Sequence, residues 1–266
     1  MIEPPERSLL KQSDGPAVRV DNPDGDSPVV LVCDHASRQI PAALGNLGLA
    51  NDILESHVAW DPGASALAAE ISQRLNAPLI SSGFSRLVCD VNRQPGTPES
   101  IRQTSEVHEI PGNLNVSVVD QNNRVAAIYD PFHAAIEATL ERRPYQSILV
   151  TIHTFTPVYF DQNRAVELGL VFDDDPRLAD AMASIADQFT SMETRQNEPY
   201  GPDDGVTHTL RRHAVPRGIL NVMIEIRNDL VAKHQDQVRV AGELGNLILE
   251  AIEQLDHAAT AVELQG

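Results

Sequence analysis

Cysteine is scarce in this chain of 266 residues: there are two, Cys33 and Cys89, each inside an apolar run. That scarcity excludes a disulfide framework and points to two buried free thiols. Positive charge is also short. Lysine and arginine number 20 against 38 acidic residues, a formal charge of −18. A surface this acidic disfavours nucleic acid and anionic membranes, while leaving room for a small anionic ligand in a local basic pocket. No apolar run is long enough to span a bilayer. The first residues, Met1-Ile-Glu-Pro-Pro-Glu-Arg7, lack the charged and apolar regions of a signal peptide, so a soluble cytoplasmic protein is expected. Internal repeats and low-complexity tracts are missing. So is any linker that would divide the chain, and one large α/β domain is the expected organisation. Residues 1–27, polar and rich in Pro, Asp and Gly, read as an N-terminal arm with an edge strand near Ala17–Val20. Residues 28–266 read as the single functional domain.

What the chain does have is a set of apolar runs that end in chemistry. Val29-Val-Leu-Val-Cys33 stops at Asp34-His35. Ser147-Ile-Leu-Val-Thr-Ile152 stops at His153. Leu87-Val-Cys-Asp-Val91 stops at Asn92-Arg93, and Asn221-Val-Met-Ile-Glu225-Ile-Arg227 carries a Glu and an Arg within the run. Val- and Ile-rich runs of this length read as buried, mostly parallel strands. In open α/β sheets, ligands bind beyond the carboxyl ends of the strands. The expected architecture is a three-layer αβα fold with a mostly parallel, mixed sheet.

Between the strands, periodicity predicts helices over about 51–57, 62–75, 124–143, 176–189 and 235–257. Asp61 before Pro62 and Asp175 before Pro176 read as N-caps followed by proline at the first helical position. Residues 85–91 and 165–172 read as further strands. The polar stretch 94–123 reads as a long loop, of the kind that is functional or mobile in compact domains.

His35 and His153, each at a strand end, are candidate metal ligands. The third is Asp61, whose competing role is the helix cap; Asp34 becomes a candidate if its strand has already broken. Two imidazoles and a carboxylate with one position left open suit a hydrolytic zinc ion. Glu225, a carboxylate in an apolar strand, is a candidate general base, because burial raises its pKa toward the useful range. The alternative is a buried ion pair with Arg227, on the same face of the strand, or with Arg93. Asn92 and Arg93 offer an amide and a planar fork for a substrate carboxylate; the alternative for Arg93 is a salt bridge to Asp90. Arg211-Arg212-His213 is a second possible anion or oxyanion group, with a solvated charge run as its alternative. Trp60, Phe155 and Tyr159 read as packing or pocket walls.

Taken together, these stretches resemble the N-formylglutamate amidohydrolase family. The resemblance rests on Cys33-Asp-His-Ala-Ser37, Trp60-Asp-Pro-Gly-Ala64, Phe84-Ser-Arg-Leu-Val-Cys-Asp-Val-Asn-Arg93, Tyr129-Asp-Pro-Phe-His133, Thr151-Ile-His-Thr-Phe-Thr-Pro157, Asn197-Glu-Pro-Tyr200 and Ile224-Glu-Ile-Arg-Asn-Asp229. It spans nearly the whole chain. It implies a zinc-dependent amidohydrolase on a carboxypeptidase-like (phosphorylase/hydrolase-like) α/β fold, releasing formate from an N-formyl amino acid, typically N-formylglutamate in histidine breakdown. Asp90-Val-Asn92-Arg93 looks like the Asp-x-Asn-Arg motif of the broader group. By that likeness Asn92 and Arg93 bind substrate carboxylate and Glu225 is the base. Tyr200 and Arg227, within the matching stretches, join the substrate-binding set, and His133 and His213 are expected to support the metal site or an oxyanion. His35 is followed three positions later by Arg38, where carboxypeptidase-like sites commonly carry Glu, so either the second ligand comes from elsewhere or the metal is bound differently. The expected partner is a small acyl amino acid, handled by a monomer or small homo-oligomer. The alternatives are a metallopeptidase acting on a larger peptide-like substrate and a carboxylate-binding protein without turnover.

Overall fold

The computed structural model describes residues 9–143 and 147–263. The amino-terminal residues read for a signal peptide therefore lie outside the described part. Among the described residues eleven strands form in chain order: β1 (Val18–Asp21), β2 (Val29–Cys33), β3 (Leu79–Ser82), β4 (Thr104–Ser105), β5 (His108–Glu109), β6 (Ile148–Phe155), β7 (Val158–Tyr159), β8 (Gln162–Asn163), β9 (Leu168–Val171), β10 (Thr194–Gln196) and β11 (Asn221–Arg227). The α-helices are α1 (Asn51–Glu55), α2 (Ala64–Leu75), α3 (Val118–Arg124), α4 (Asp130–Glu141), α5 (Arg177–Phe189), α6 (His208–His213) and α7 (His234–Glu263).

Seven strands make one sheet in the order β1-β3-β2-β6-β11-β9-β10. The centre, β3-β2-β6-β11, is parallel. β1 is antiparallel to β3, and β9 is antiparallel to β11, with β10 parallel to β9. The strands alternate between two cores, as a twofold side-chain period requires. Val29, Leu31, Ile148, Val150, Val222 and Ile224 pack with Leu67, Ile71, Met182, Leu244 and Ile248 of α2, α5 and α7. Val30, Val32, Leu149 and Met223 face Phe132 and Ile136 of α4 on the other side. Burying each such aliphatic side chain is worth roughly 1.5–3 kcal/mol, so the doubly covered strands dominate the stability. The expected layered α/β class with a mixed, mostly parallel sheet is what forms. No helix among the described residues is long and apolar enough to cross a membrane.

Several local expectations need correction. Residues 85–91 form a buried run of turns rather than a strand. Polar side chains there bond the backbone locally: Ser85 Oγ accepts from Leu87 N at 3.1 Å and Asp90 Oδ1 from Asn92 N at 2.9 Å. Such bonds compete with a strand ladder. The helix predicted from 124 starts at Val118, where Ser117 Oγ accepts from Asp120 N. It passes through a wider π turn at Val125–Tyr129 into α4. The wide turn ends two residues before Pro131, whose ring would clash with the carbonyl four residues back in an unbroken α-helix. The rest of the 94–123 stretch carries the β4–β5 hairpin.

Candidate active site

The parallel strands β2 and β6 are neighbours, and from β2 the chain continues through β3 on one side and β6 on the other. That reversal of strand order is where an open α/β sheet gapes at its carboxyl edge. Asp34 and His35 lie there, just past the end of β2. His153 lies on β6, which runs three residues further than the pattern predicts.

Asp61 sits in the turn before α2. Its backbone N–H donates to the His35 carbonyl at 3.1 Å, and its own carbonyl accepts from Ala64 N at 3.1 Å. The helix starts at Ala64, after Gly63 at φ +88°, so Asp61 is not its N-cap. A side chain on Gly63 would be strained at that φ and would press on Val231. Freed from capping, the Asp61 carboxylate turns inward. Its Oδ2 stands 3.3 Å from His35 Nδ1 and 3.0 Å from His153 Nδ1. One ligand atom from each of His35, Asp61 and His153 falls within 4.8 Å of the others, and all three residues are buried.

The outer nitrogen of each imidazole is also held. His35 Nε2 is 2.8 Å from Asp90 Oδ1, and His153 Nε2 is 2.9 Å from Asp34 Oδ2. Thr209 Oγ1 donates to Asp34 Oδ1 at 2.6 Å. Arg86 bridges the remaining oxygens, reaching Asp61 Oδ1 at 3.2 Å and Asp90 Oδ2 at 3.3 Å. Metal-binding histidines almost always donate their second N–H to a carboxylate or carbonyl, which fixes the ring and its tautomer. Three buried carboxylates converge on two imidazoles and one guanidinium. With both imidazoles neutral, as ligation requires, the donor set and the remaining negative charge suit a divalent cation.

Burial alone would raise the pKa of Asp61, but the His35 charge, bonds from His153 and His35, and Arg86 hold it well below the usual range. Asp90 is likewise held far down against its burial by His35 and Arg86. His153 is lifted to about 10: burial opposes its charge, and the bonds to Asp34 and Asp61 overcome that. Glu225 behaves oppositely. It pairs in register with His153 across β6 and β11. Burial pushes it up to about 7 against the pull of the His153 charge. Its Oε2 has no hydrogen-bond partner, and among the described residues it forms no ion pair with Arg227 or Arg93.

A cavity of about 410 Å³ opens over this cluster, lined by His35, Asp61, His153, Glu225, Arg86, Asn92, Arg93 and Tyr200 among others. Arg93 is buried, with Nη1 donating to the Asn92 carbonyl at 2.8 Å and Nε without a partner. The carboxylate that the sequence offered it, Asp90, goes to Arg86. The Asn92 amide is already spent, donating to Val206 O at 2.6 Å and accepting from Thr209 N at 2.9 Å. It anchors the start of α6.

Arg227, His133, Arg211, Arg212 and His213 do not line the cavity, and Arg211 and Arg212 border a neighbouring cleft instead. Arg227 pairs with Glu167 at 3.0 Å and Asp229 at 2.9 Å, because β11 ends there and the alternating face no longer constrains it. His213 is buried against His133, Nε2 to Nδ1 at 2.7 Å, and His133 Nε2 meets the Val91 carbonyl. Arg38, at the position of the absent Glu, pairs with Glu55 on the surface. Sequence reading missed Arg86 and the pairing of Asp34 and Asp90 with the two histidines. The one available signal was their place in the stretches 33–37 and 84–93, which already carried site candidates.

The sequence matches the N-formylglutamate amidohydrolase family over residues 27–232. A gene product of Agrobacterium tumefaciens, solved by crystallography, superposes with a TM-score of 0.91 at 45% identity, over 93% of this chain and 99% of its own. The N-formylglutamate amidohydrolase of Ralstonia eutropha shares the fold at a TM-score of 0.57 and 16% identity, over 92% of this chain and 99% of its own. No curated protein matches the sequence. The fold is of the α/β class, and its buried His-Asp-His group could hold a metal ion. The chain belongs to the N-formylglutamate amidohydrolase family.

Proposed function

We propose that this protein hydrolyses the amide bond of an N-formyl or other short N-acyl amino acid, with N-formyl-L-glutamate the foremost substrate, yielding formate and L-glutamate. The observation that carries the reading is the convergence of His35, Asp61 and His153 beneath a cavity that also holds Glu225, a carboxylate with a free oxygen. These three residues would hold a divalent ion, with zinc favoured by two imidazole nitrogens and one carboxylate oxygen. When bound, the ion supplies Lewis acidity to the acyl carbonyl and acidity to water.

The chain's own groups do the rest. Glu225 Oε2 takes a proton from the attacking water and delivers it to the departing amide nitrogen. Burial, which raises its pKa above the ordinary carboxylate range, suits it to both transfers. Arg93 holds the α-carboxylate through its buried guanidinium. Asn92 positions Arg93 and α6 rather than binding substrate itself. Tyr200, its pKa pushed up to about 12 mainly by burial, keeps its proton and serves as a hydroxyl donor. The 94–123 stretch contributes Arg102, Ser105 and Glu106 to the wall, which favours a small substrate over a long peptide.

Formate release from N-formyl-L-glutamate, measured beside elemental analysis of wild type and His153→Ala, tests the reading. Near-stoichiometric zinc that is lost in the variant, with formate released by the wild type alone, is the expected result. Zinc without formate release moves the substrate to another acyl group. No metal after reconstitution sinks the mechanism and leaves a carboxylate-binding protein.

A further inference from the structure

Two guanidinium groups near the carboxyl edge of the sheet are neutralised. Arg86 serves Asp61 and Asp90, and Arg227 serves Glu167 and Asp229. Arg93, Arg102 and Arg164 line the cavity without an ion pair among the described residues, and of these Arg164 is the one held between aromatic rings. It follows the β7–β8 hairpin, lines the cavity, and forms no ion pair among the described residues. Its charged carbon instead lies 4.5 Å from the ring centre of Tyr159, 4.7 Å from Tyr200 and 5.5 Å from Phe155. Nη1 donates to Tyr200 Oη at 2.9 Å and to the Thr156 carbonyl at 3.4 Å. Among the described residues, Nε and Nη2 donate to nothing, and neither is a buried orphan.

This arrangement has a physical consequence. Aromatic faces fix a guanidinium in place and favour its charge without cancelling it, whereas a carboxylate neighbour would cancel it. The Nε–Nη2 edge is the fork that matches a carboxylate bidentately. Arg227 supports the same strand of chain from behind, its Nη1 reaching the Arg164 carbonyl at 3.4 Å. The result is an immobilised cation with its binding edge unused, on a cavity wall built from β7, Phe155 and Tyr200. Arg93, on the stretch that also borders a neighbouring cleft with Gln94 and His208, belongs to a different segment of the wall.

We propose that Arg164, clamped by Phe155, Tyr159 and Tyr200, is the subsite for a second carboxylate, so that the enzyme selects N-acyl amino acids with an acidic side chain. The inference rests on the acyl amino acid reading above and adds to it a specificity-determining residue. Arg164 acts on binding of the side chain, and the Tyr200 hydroxyl orients it.

The test compares kcat/KM for N-formyl-L-glutamate with that for its isosteric amide, N-formyl-L-glutamine, in wild type, Arg164→Met and Arg164→Lys. A site built around a charged hydrogen bond rejects the analogue lacking it strongly, so a ratio of about 100 or more is expected in the wild type. It should collapse to about 5 or less in Arg164→Met, and to an intermediate value in Arg164→Lys, which keeps the charge and loses the fork. An unchanged ratio in a folded Arg164→Met overturns the proposal. Calorimetric binding of glutarate and butyrate to the metal-loaded proteins reads the subsite without turnover. Tighter glutarate binding in the wild type than in Arg164→Met supports the subsite even if no N-formyl amino acid is hydrolysed, an outcome that would sink only the reaction. Equal glutarate affinity in the two, or no preference for glutarate over butyrate, overturns it. Arg164→Lys, which retains the charge and most of the packing, keeps the comparison valid if Arg164→Met does not fold.

Discussion

Asp90 Oδ1 lies 2.8 Å from His35 Nε2, which turns the first residue of the Asp-x-Asn-Arg stretch into the support of a candidate ligand 55 positions earlier in the chain. Replacing Asp90 by Asn keeps an acceptor but removes the charge that both His35 and Arg86 face. Partners of this kind typically matter 10–100-fold to metal affinity, and a loss of about that size is expected for Asp90→Asn. Competition with a zinc-binding dye measures it. Affinity equal to wild type would separate this pair from metal binding.

Glu225→Gln should cut kcat by roughly 10²–10⁴-fold while leaving zinc content intact, the usual range for removing a general base. Its effect on stability has a definite sign in the metal-free protein. The folded pKa is raised to about 7 from 4.5, so the buried carboxyl is tolerated best below about 4.5, and stability falls as pH rises through 7. Above pH 7 the metal-free variant should therefore be the more stable, by on the order of a few kcal/mol. The urea-midpoint difference between wild type and Glu225→Gln, taken at pH 4 and at pH 8, decides this: the same difference at both pH values would show that Glu225 is not held in the charge-averse site described.

The stacked pair His133 and His213 titrates in the opposite sense. Burial lowers His133 to about 4, and burial together with the His133 charge lowers His213 to about 3. Both are below the ordinary 6.5, so the fold favours the neutral rings. Their contribution is fully present above pH 6.5 and is lost as pH falls from there toward 4. In a Glu225→Gln background, which removes the opposing titration, urea midpoints should fall across that window. The fall should shrink when His213 is replaced by Leu.

Gly169 faces Glu225 across β9 and β11. A methyl there would collide with the carbonyl oxygen of Glu198 and crowd the Glu225 side chain. Gly169→Ala is expected to lower stability by about 1–3 kcal/mol, as overpacking does. It should also raise KM, because the 198–200 segment carrying Tyr200 must move. A thermal melt and a KM measurement check it; a fully stable variant with unchanged KM would mean the contact yields easily.

How much of this was legible follows from which signals are local. Apolar runs of Val and Ile marked β2, β6 and β11, and their polar ends marked His35, His153 and Glu225, because strand burial and strand termination are written in neighbouring residues. Asp61 was legible only as a choice between cap and ligand, which the positive φ at Gly63 resolves. The 85–91 run reads as a strand because its apolar residues are buried as a strand's would be, while Ser85 and Asp90 bond its backbone locally. Arg227 is taken up by ion pairs instead of lining the cavity, and the reason is nonlocal. Which arginine is neutralised depends on Glu167 and Asp229, and no periodicity announces that pairing.

β9 runs against its neighbour β11, and the route of the chain follows from that. β6 ends at the mouth of the cavity. A parallel β9 would have required a crossover to the far edge of the sheet before it could begin. Because β9 is reversed, it begins at the same edge where β6 ends, and residues 156–167 pass directly over the tip of β11. One inverted strand thus converts what would have been a distant crossover into a parapet at the cavity's rim, and Arg164 stands on it.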